Sequence, residues 1–397
     1  MQIELSMELK TYFEPIDATL LDYQSNPFRP MMGDNIRAHT AEAGFPDLDE
    51  ANLVLLGVKE DRASVENPGC GVAPDYIRHY LYRLAKPHRD FVMADLGNMA
   101  PASTVNDTYY ALIDVMQKLL DAGKTVILLG GSDDLVFPIY KAYEILGRVI
   151  NICSVDSRFN LEGGDEINSS NYLQHIILQQ PNYLFDYVGL GYQSYLVGQE
   201  MIHLMDELKF STRRLGELQA DINQCEPMVR FSDLLAIDIS AVRQSDAPAN
   251  AAPSPHGFYG EELCQIARFA GLSDKTSTFA LFEMNPVHDN NGQTAHMLAH
   301  AIWFFIEGFH YRMGDFPYRD KASYRRYTAM LEKGMEIVFY KSLKSDRWWM
   351  EVPCNDAERR KRYLRHTLVP CSYSDYERAM ENEVPELWWH YYSRMNS

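Results

Sequence analysis

Apolar runs separated by amphipathic stretches organise most of this chain. The segments "ANLVLLGV" (51–58), "DFVMADLGN" (90–98), "KTVILLGG" (124–131), "VINICSVDS" (149–157), "FDYVGLGYQ" (185–193), "DLLAIDIS" (233–240) and "STFALFEMN" (277–285) each read as a strand. Their apolar positions continue with little polar alternation, as expected of strands covered on both faces. Residues 74–84, 106–123, 136–147, 260–271 and 292–309 place apolar residues at helical spacing. Pro74 opens the first of these, and an Asn/Asp start and a Gly stop bound the second. Strands alternating with helices predict an α/β fold: a mostly parallel sheet with helices on both faces, three layers in all. In such sheets ligands bind outside the carboxyl ends of the strands.

The two flanks differ from this pattern. Residues 1–50 form a mixed N-terminal segment with an irregular stretch at 26–35, and the α/β domain is expected over 51–314. Residues 315–397 hold four of the five tryptophans, Trp348, Trp349, Trp388 and Trp389. Alternation there suggests a hairpin around Lys341–Asp346, and residues 374–395 read as one terminal helix with an aromatic face. This aromatic-rich extension is expected to pack on the α/β domain or across an oligomer interface.

Composition narrows the function classes. The chain is 46% apolar and 23% charged, which allows a large core. A net charge of -18 repels phosphate backbones and argues against a nucleic-acid partner. The six cysteines are widely spaced and form no CxxC pair, which argues against a zinc ribbon or disulfide framework and fits a reducing compartment. The N-terminus has no basic start followed by an apolar run. The most apolar helical stretch is too short and too interrupted by histidine to span a bilayer. A soluble cytoplasmic protein without a membrane partner is expected.

Polar residues collect where the strands finish. Asp133 and Asp134 follow one strand, and Asp156 and Arg158 follow another. Asp238, Ser240 and Asp246 end or follow a third, and Glu283 and Asn285 end a fourth. Acids at four strand ends would converge on one crevice.

These segments resemble the motifs of the ureohydrolase family of arginase, agmatinase and formimidoylglutamase, over about residues 50–310. "NPGCGVAPDYIRHYL" is similar to that family's Pro-Gly, Gly-Pro, Ile-Arg segment. "LLGGSDD" lies where the family has Gly-Gly-Asp-His-Ser, and "SVDSRFN" where it has Asp-Ala-His-x-Asp. "AIDISAVRQSDAP" lies where it has Ser-x-Asp-x-Asp-x-x-Asp-Pro. "FEMNPVHDNNGQTAHMLA" is similar to its Glu-x-Asn-Pro segment. The resemblance implies an arginase-like sandwich, closest to a divergent formimidoylglutamase branch. It also implies two manganese ions held by four Asp and two His, which activate water toward a guanidinium or amidine carbon.

The implied ligand set is degraded. Asp156 and Asp238 match, and Asp133 replaces a histidine with another possible ligand. Arg158, Asn160 and Ser240 stand at the other three ligand positions. A guanidinium cannot ligate a cation. The expectation is therefore that Arg158 takes the cation's seat and pairs with Asp156, Asp238 or Asp133, so that no metal is favoured. Asp134 is expected to be solvated or to cap the next helix. Glu283, Asn285 and Asp246 are candidates for binding a small cationic or amino-acid-like ligand, although Glu283 could instead hold a loop. His175, on an apolar helix, reads as a packed core residue. His296 and His300 share a helix face but lack the glutamate of a zinc motif.

Three functions stay open. The first is a catalytically inactive pseudoenzyme with a binding or regulatory role. The second is a hydrolase of C–N bonds in linear amidines, with manganese held by Asp133, Asp156 and Asp238. The third is a structural scaffold built through the tryptophan-rich tail. A homo-oligomer is expected, since family members form trimers or hexamers.

Overall fold

In the computed structural model, which describes residues 2–24, 28–89, 91–317 and 321–396, nine strands form one sheet in the order β1-β3-β2-β4-β9-β8-β5-β6-β7. The strands are β1 (Ile36–Ala38), β2 (Leu53–Val58), β3 (Met93–Met99), β4 (Thr125–Leu129), β5 (Ile150–Val155), β6 (Leu184–Tyr192), β7 (Ser211–Arg214), β8 (Leu234–Asp238) and β9 (Thr278–Phe282). Every pairing in this sheet is parallel. Residues 26 and 27 of the irregular stretch, and Asp90 at the head of one expected strand, lie outside the described residues.

The unbroken apolar runs are explained by what each face meets. Leu53 and Leu55 of β2 pack with Ile77, Ile266 and Phe305 on one side. Val54 and Leu56 pack with Leu112, Met116 and Ile139 on the other. Successive side chains point to opposite faces, so both parities must be apolar when helices cover both. Helices Ala73–Leu81, Gly260–Leu272 and Gln293–His310 form one outer layer, and Val105–Asp121 and Val136–Ile145 form the other. The helix Val105–Asp121 starts one residue earlier than its Asn/Asp signal suggests. Thr104 caps it, accepting from the Asp107 N–H at 3.1 Å while Asp107 accepts from the Thr104 N–H at 3.0 Å.

The N-terminal segment is more integrated than its composition suggests, because β1 extends the sheet beside β3. The C-terminal region forms a second, antiparallel sheet of β10 (Tyr324–Met330), β11 (Glu336–Ser342), β12 (Trp348–Glu351) and β13 (Leu368–Cys371). The expected hairpin is the turn between β11 and β12. Its core of Ile337, Phe339, Trp348, Met350 and Val369 includes Phe185 and Phe231 of the α/β layers. The single terminal helix expected from the sequence is two, Tyr373–Met380 and Glu386–Asn396. The break falls where Asn382 takes a φ of 71°, shortly before Pro385, a residue that disfavours helix in its predecessor. All six cysteines are free and buried. Among the described residues no helix is long and apolar enough to cross a membrane.

One buried ion pair fixes the first outer helix to the sheet. Arg78, fully buried, donates from Nε to Asp95 Oδ2 at 2.7 Å and from Nη2 to Oδ1 at 2.8 Å. Replacing Arg78 with Met would leave a buried carboxylate without its counter-charge. The expected loss of stability is about 3–5 kcal/mol, read from the urea midpoint. A loss below about 1 kcal/mol would show that the Tyr82 hydroxyl, 2.5 Å from Asp95, and the Gly97 N–H, at 2.9 Å, suffice.

Candidate metal and ligand site

Strands β4, β9, β8 and β5 are adjacent at the centre of the sheet, and each delivers acid to the same end. After β4 the chain turns through Gly130 and Gly131 to Asp133 and Asp134, both buried. A Cβ on Gly131 would lie 1.9 Å from the carbonyl oxygen of Glu60, so only glycine permits this backbone approach. Asp156 follows β5, Asp238 ends β8, and Glu283 follows β9. Glu283 adopts a φ of 64°, a left-handed conformation that costs energy for a non-glycine residue. The surrounding bonds hold it there. Its Oε1 accepts from the Asp133 N–H at 3.1 Å and its Oε2 from Asn67 Nδ2 at 2.9 Å.

These residues border a crevice of about 320 Å³. Carboxylate oxygens of Asp133, Asp156 and Asp238 lie within 4.8 Å of one another. Asn160 donates to Asp133 Oδ2, while Asp133 Oδ1 is buried with no hydrogen-bond partner among the described residues. Ser240 donates from its N–H to Asp238 Oδ1 at 2.7 Å and from its hydroxyl to Asp156 Oδ1 at 3.4 Å. Burial pushes the carboxyl groups of Asp133 and Asp238 well above their ordinary range, and the neighbouring carboxylates push them further. Burial likewise raises Asp156 to about 6 and Glu283 to about 7.

Arg158 corrects the sequence expectation. Its backbone N–H bonds Asp156 Oδ1 at 3.0 Å, but its guanidinium turns to the rim and pairs with Glu66 at 3.2 Å. The Arg158 side chain is 44% exposed. Desolvating a guanidinium is costly, and Glu66 offers a partner that stays wet. The guanidinium therefore does not take the cation's seat among the three aspartates. Its field lowers the Asp156 pKa only after burial and two hydrogen bonds have acted.

Other expectations also change. Asp134 is neither solvated nor a side-chain cap: it is fully buried and accepts the Tyr109 hydroxyl at 2.5 Å. Asp246 does not line the crevice. It accepts from Arg243 Nε and from the Gly260 N–H, both at 2.9 Å, tying its loop to the helix Gly260–Leu272. Asn285 sits behind the crevice and donates to Asn67 Oδ1 at 3.1 Å and to the Pro68 carbonyl at 3.0 Å. Glu283 faces the crevice and also holds the Asn67 loop. His175 packs edge-on against Phe137, and His296 stacks on Tyr80. Neither His296 nor His300 joins a metal-ligating cluster among the described residues. Sequence reasoning missed Asn67, Ser64 and Glu66. The Asn-Pro-Gly turn at 67–69 was the available signal, since its asparagine side chain is free to reach back into the site.

Manganese fits part of this geometry. Two buried carboxylates and a half-buried one, one of them with an unsatisfied oxygen, make a hard-oxygen set suited to one divalent cation. The second ion of a two-metal centre does not fit as well, because Arg158 and Ser240 offer no anionic or imidazole ligand.

Comparison with known proteins agrees with this geometry. The arginase family model matches residues 51–306. The formimidoylglutamase of Staphylococcus haemolyticus is 24% identical over 274 residues, covering 65% of this chain and 86% of that protein. That of Staphylococcus aureus is 24% identical over 289 residues, covering 68% and 92%. A Trypanosoma cruzi formiminoglutamase structure with Mn2+ superimposes with a TM-score of 0.65 at 18% identity, covering 72% of this chain and all (100%) of that one. The Bacillus subtilis formimidoylglutamase gives 0.65 at 16% identity, covering 73% and 95%. The sheet order, the acids gathered at its centre and the match over residues 51–306 together establish that the chain belongs to the arginase family, as a formimidoylglutamase-like protein with an additional C-terminal region.

Proposed function

We propose that this protein is a one-metal hydrolase of C–N bonds in small linear amidines. Asp133, Asp156 and Asp238 would hold a single manganese-class ion, with Asn160 beside them. One observation carries this reading: Asp133, Asp156 and Glu283, buried, and Asp238, half-buried, share a crevice whose one bordering cation among the described residues, Arg158, is paired with Glu66 at the rim. Buried charge of one sign requires a partner, and the side chain expected to supply it faces outward. This favours the metal-bound alternative over the metal-free site.

When bound, such an ion supplies Lewis-acid activation of water or of the amidine group. The chain's own residues would do the rest. Glu283, fixed by Asn67 and by the Asp133 N–H, presents a carboxylate to an amidinium N–H. Arg158 and Glu66 at the rim would meet the opposite, amino-acid-like end of the ligand. Asp156 and Asp238 would be kept aligned by Ser240 and by the Arg158 backbone. A second reading, a non-catalytic binding protein, is favoured by the loss of the second ion's ligands at Arg158 and Ser240. Release of formamide or ammonia from formiminoglutamate by the Mn2+-loaded protein separates the two. Turnover supports the hydrolase, and saturable binding without turnover supports the binding protein.

The metal itself can be counted. Elemental analysis after loading and dialysis is expected to give about one Mn2+ per chain, and Asp156→Asn or Asp238→Asn should weaken binding by about 100-fold or more. The double change Arg158→His with Ser240→Asp should raise the count toward two. A wild-type count near zero or near two contradicts the one-metal site.

Stability should report the same crowding of acids. Raised folded-state carboxyl pKa values favour the folded, metal-free chain fully below about pH 4, the unfolded carboxyl range. That contribution disappears as pH rises through about 6 for Asp156 and about 7 for Glu283. The urea midpoint of metal-free protein is therefore expected to fall between about pH 5 and about pH 8, and Mn2+ should offset the fall at the upper end. A level midpoint with no Mn2+ effect would count against the crowded-carboxylate site.

A further inference from the structure

A second cavity, of about 610 Å³, lies at the other end of the sheet, where the strands begin. Gly123, Arg148, Asp233 and Ser277 border it and stand just before β4, β5, β8 and β9. These are the four strands whose far ends carry the crevice acids. The opposite wall comes from beyond the family match at residue 306, through Phe316, Tyr324, Lys344 and Arg365. The packing of the C-terminal region against the sheet therefore creates this space.

Its lining is basic in a chain whose net charge is -18. Among the described residues, Arg148, Lys275, Lys344 and Arg365 outnumber the two acids, Asp233 and Asp274. Both acids are already engaged. Asp233 Oδ2 accepts from Lys275 Nζ and, at 2.9 Å, from the Asn151 N–H. Asp274 accepts from the N–H groups of Gly314 at 3.2 Å and Asp315 at 2.9 Å. The cations keep more unused capacity. Arg148 is half-buried, and its side chain has no hydrogen bond or ion pair among the described residues. Arg365 lies 3.9 Å from Asp233, beyond hydrogen-bond reach. Among the described residues the Lys344 ammonium reaches the Met313 carbonyl, at 3.4 Å, and no carboxylate. Lys275, buried beneath them, donates to the Phe231 carbonyl at 2.8 Å and to Asp233, leaving a third N–H. The Tyr143 hydroxyl is already engaged by Ser277 Oγ at 2.7 Å, Thr278 Oγ1 at 2.8 Å and the Asp233 carbonyl at 3.3 Å, so it braces the wall rather than serving a ligand.

We propose that this cavity binds a small polyvalent oxyanion, a carboxylate- or phosphate-bearing metabolite held by Arg148 and Arg365 with Lys344 and Lys275. Paired guanidinium groups suit planar or tetrahedral oxyanions, and the enclosure favours a small molecule over a polymer. The site shares no residue with the acidic crevice, so it stands or falls independently of the hydrolase reading.

Calorimetric titration of the full chain tests it, with inorganic phosphate in one arm and glutarate in the other. Chloride holds the ionic strength constant. At least one anion is expected to saturate the protein and raise its thermal midpoint with concentration. Comparison of the arms shows whether phosphate or carboxylate is preferred. Arg148→Gln combined with Arg365→Gln should weaken binding by about 100-fold, the loss of two charge-assisted contacts. Asp156→Asn, in the crevice, should leave binding unchanged. Should the double variant fail to fold, Lys344→Gln at the exposed rim should still weaken binding by about tenfold. Absence of binding by both anions above the chloride background, or undiminished binding to the variants, overturns the proposal.

Discussion

A carboxylate removed from water must find a proton, a hydrogen-bond donor or a cation. Asp133, Asp156 and Glu283 are removed from water together, with Asp238 half-buried beside them, at the mouths of four neighbouring parallel strands. Donors answer part of the demand: Asn160 serves Asp133, Ser240 serves Asp156 and Asp238, and Asn67 serves Glu283. The unpartnered Asp133 Oδ1 marks what is left over. The surrounding structure holds this arrangement open. Gly131 lets the Asp133 turn approach Glu60, and the Asn67 loop holds Glu283 in its left-handed conformation. Charge concentration of this kind persists in enzymes because a bound ion or substrate relieves it.

Much of this was legible in the amino-acid order. The strands of the central sheet appear as apolar runs because both faces are covered, and the acids at their ends follow directly from where those runs stop. Asp133, Asp156 and Asp238 meet as their positions suggest. The direction of Arg158 was not legible. Residue type fixes its charge, but side-chain torsions and the distant Glu66 decide where that charge goes. Asp246 was misplaced for a related reason. It lies shortly after a strand end, yet its loop doubles back to the helix Gly260–Leu272. Asp134 looked like a surface cap because its partner, Tyr109, is contributed by another helix. The division of the terminal helix depends on one left-handed asparagine, a weak signal among residues that otherwise favour helix.

The C-terminal region shows how a fold can be extended without disturbing its working end. It settles against Phe185 and Phe231, near the starts of β6 and β8, and Tyr391 and Arg394 of the last helix reach Asp186. Asp186 is fully buried yet held below the usual carboxylate range despite its burial, chiefly by the His390 imidazole 3.6 Å away and the charge of Arg394. Aromatic stacking of Phe185 on His366 closes the seam.

That all the strands of the central sheet run the same way has a practical side. Every carboxyl end opens toward one pole of the molecule, while the last helix is moored at the other. A fluorophore or affinity handle carried on the helix Glu386–Asn396 would sit at the pole remote from the acidic mouth. Surface immobilisation through that handle would leave the mouth facing bulk solution.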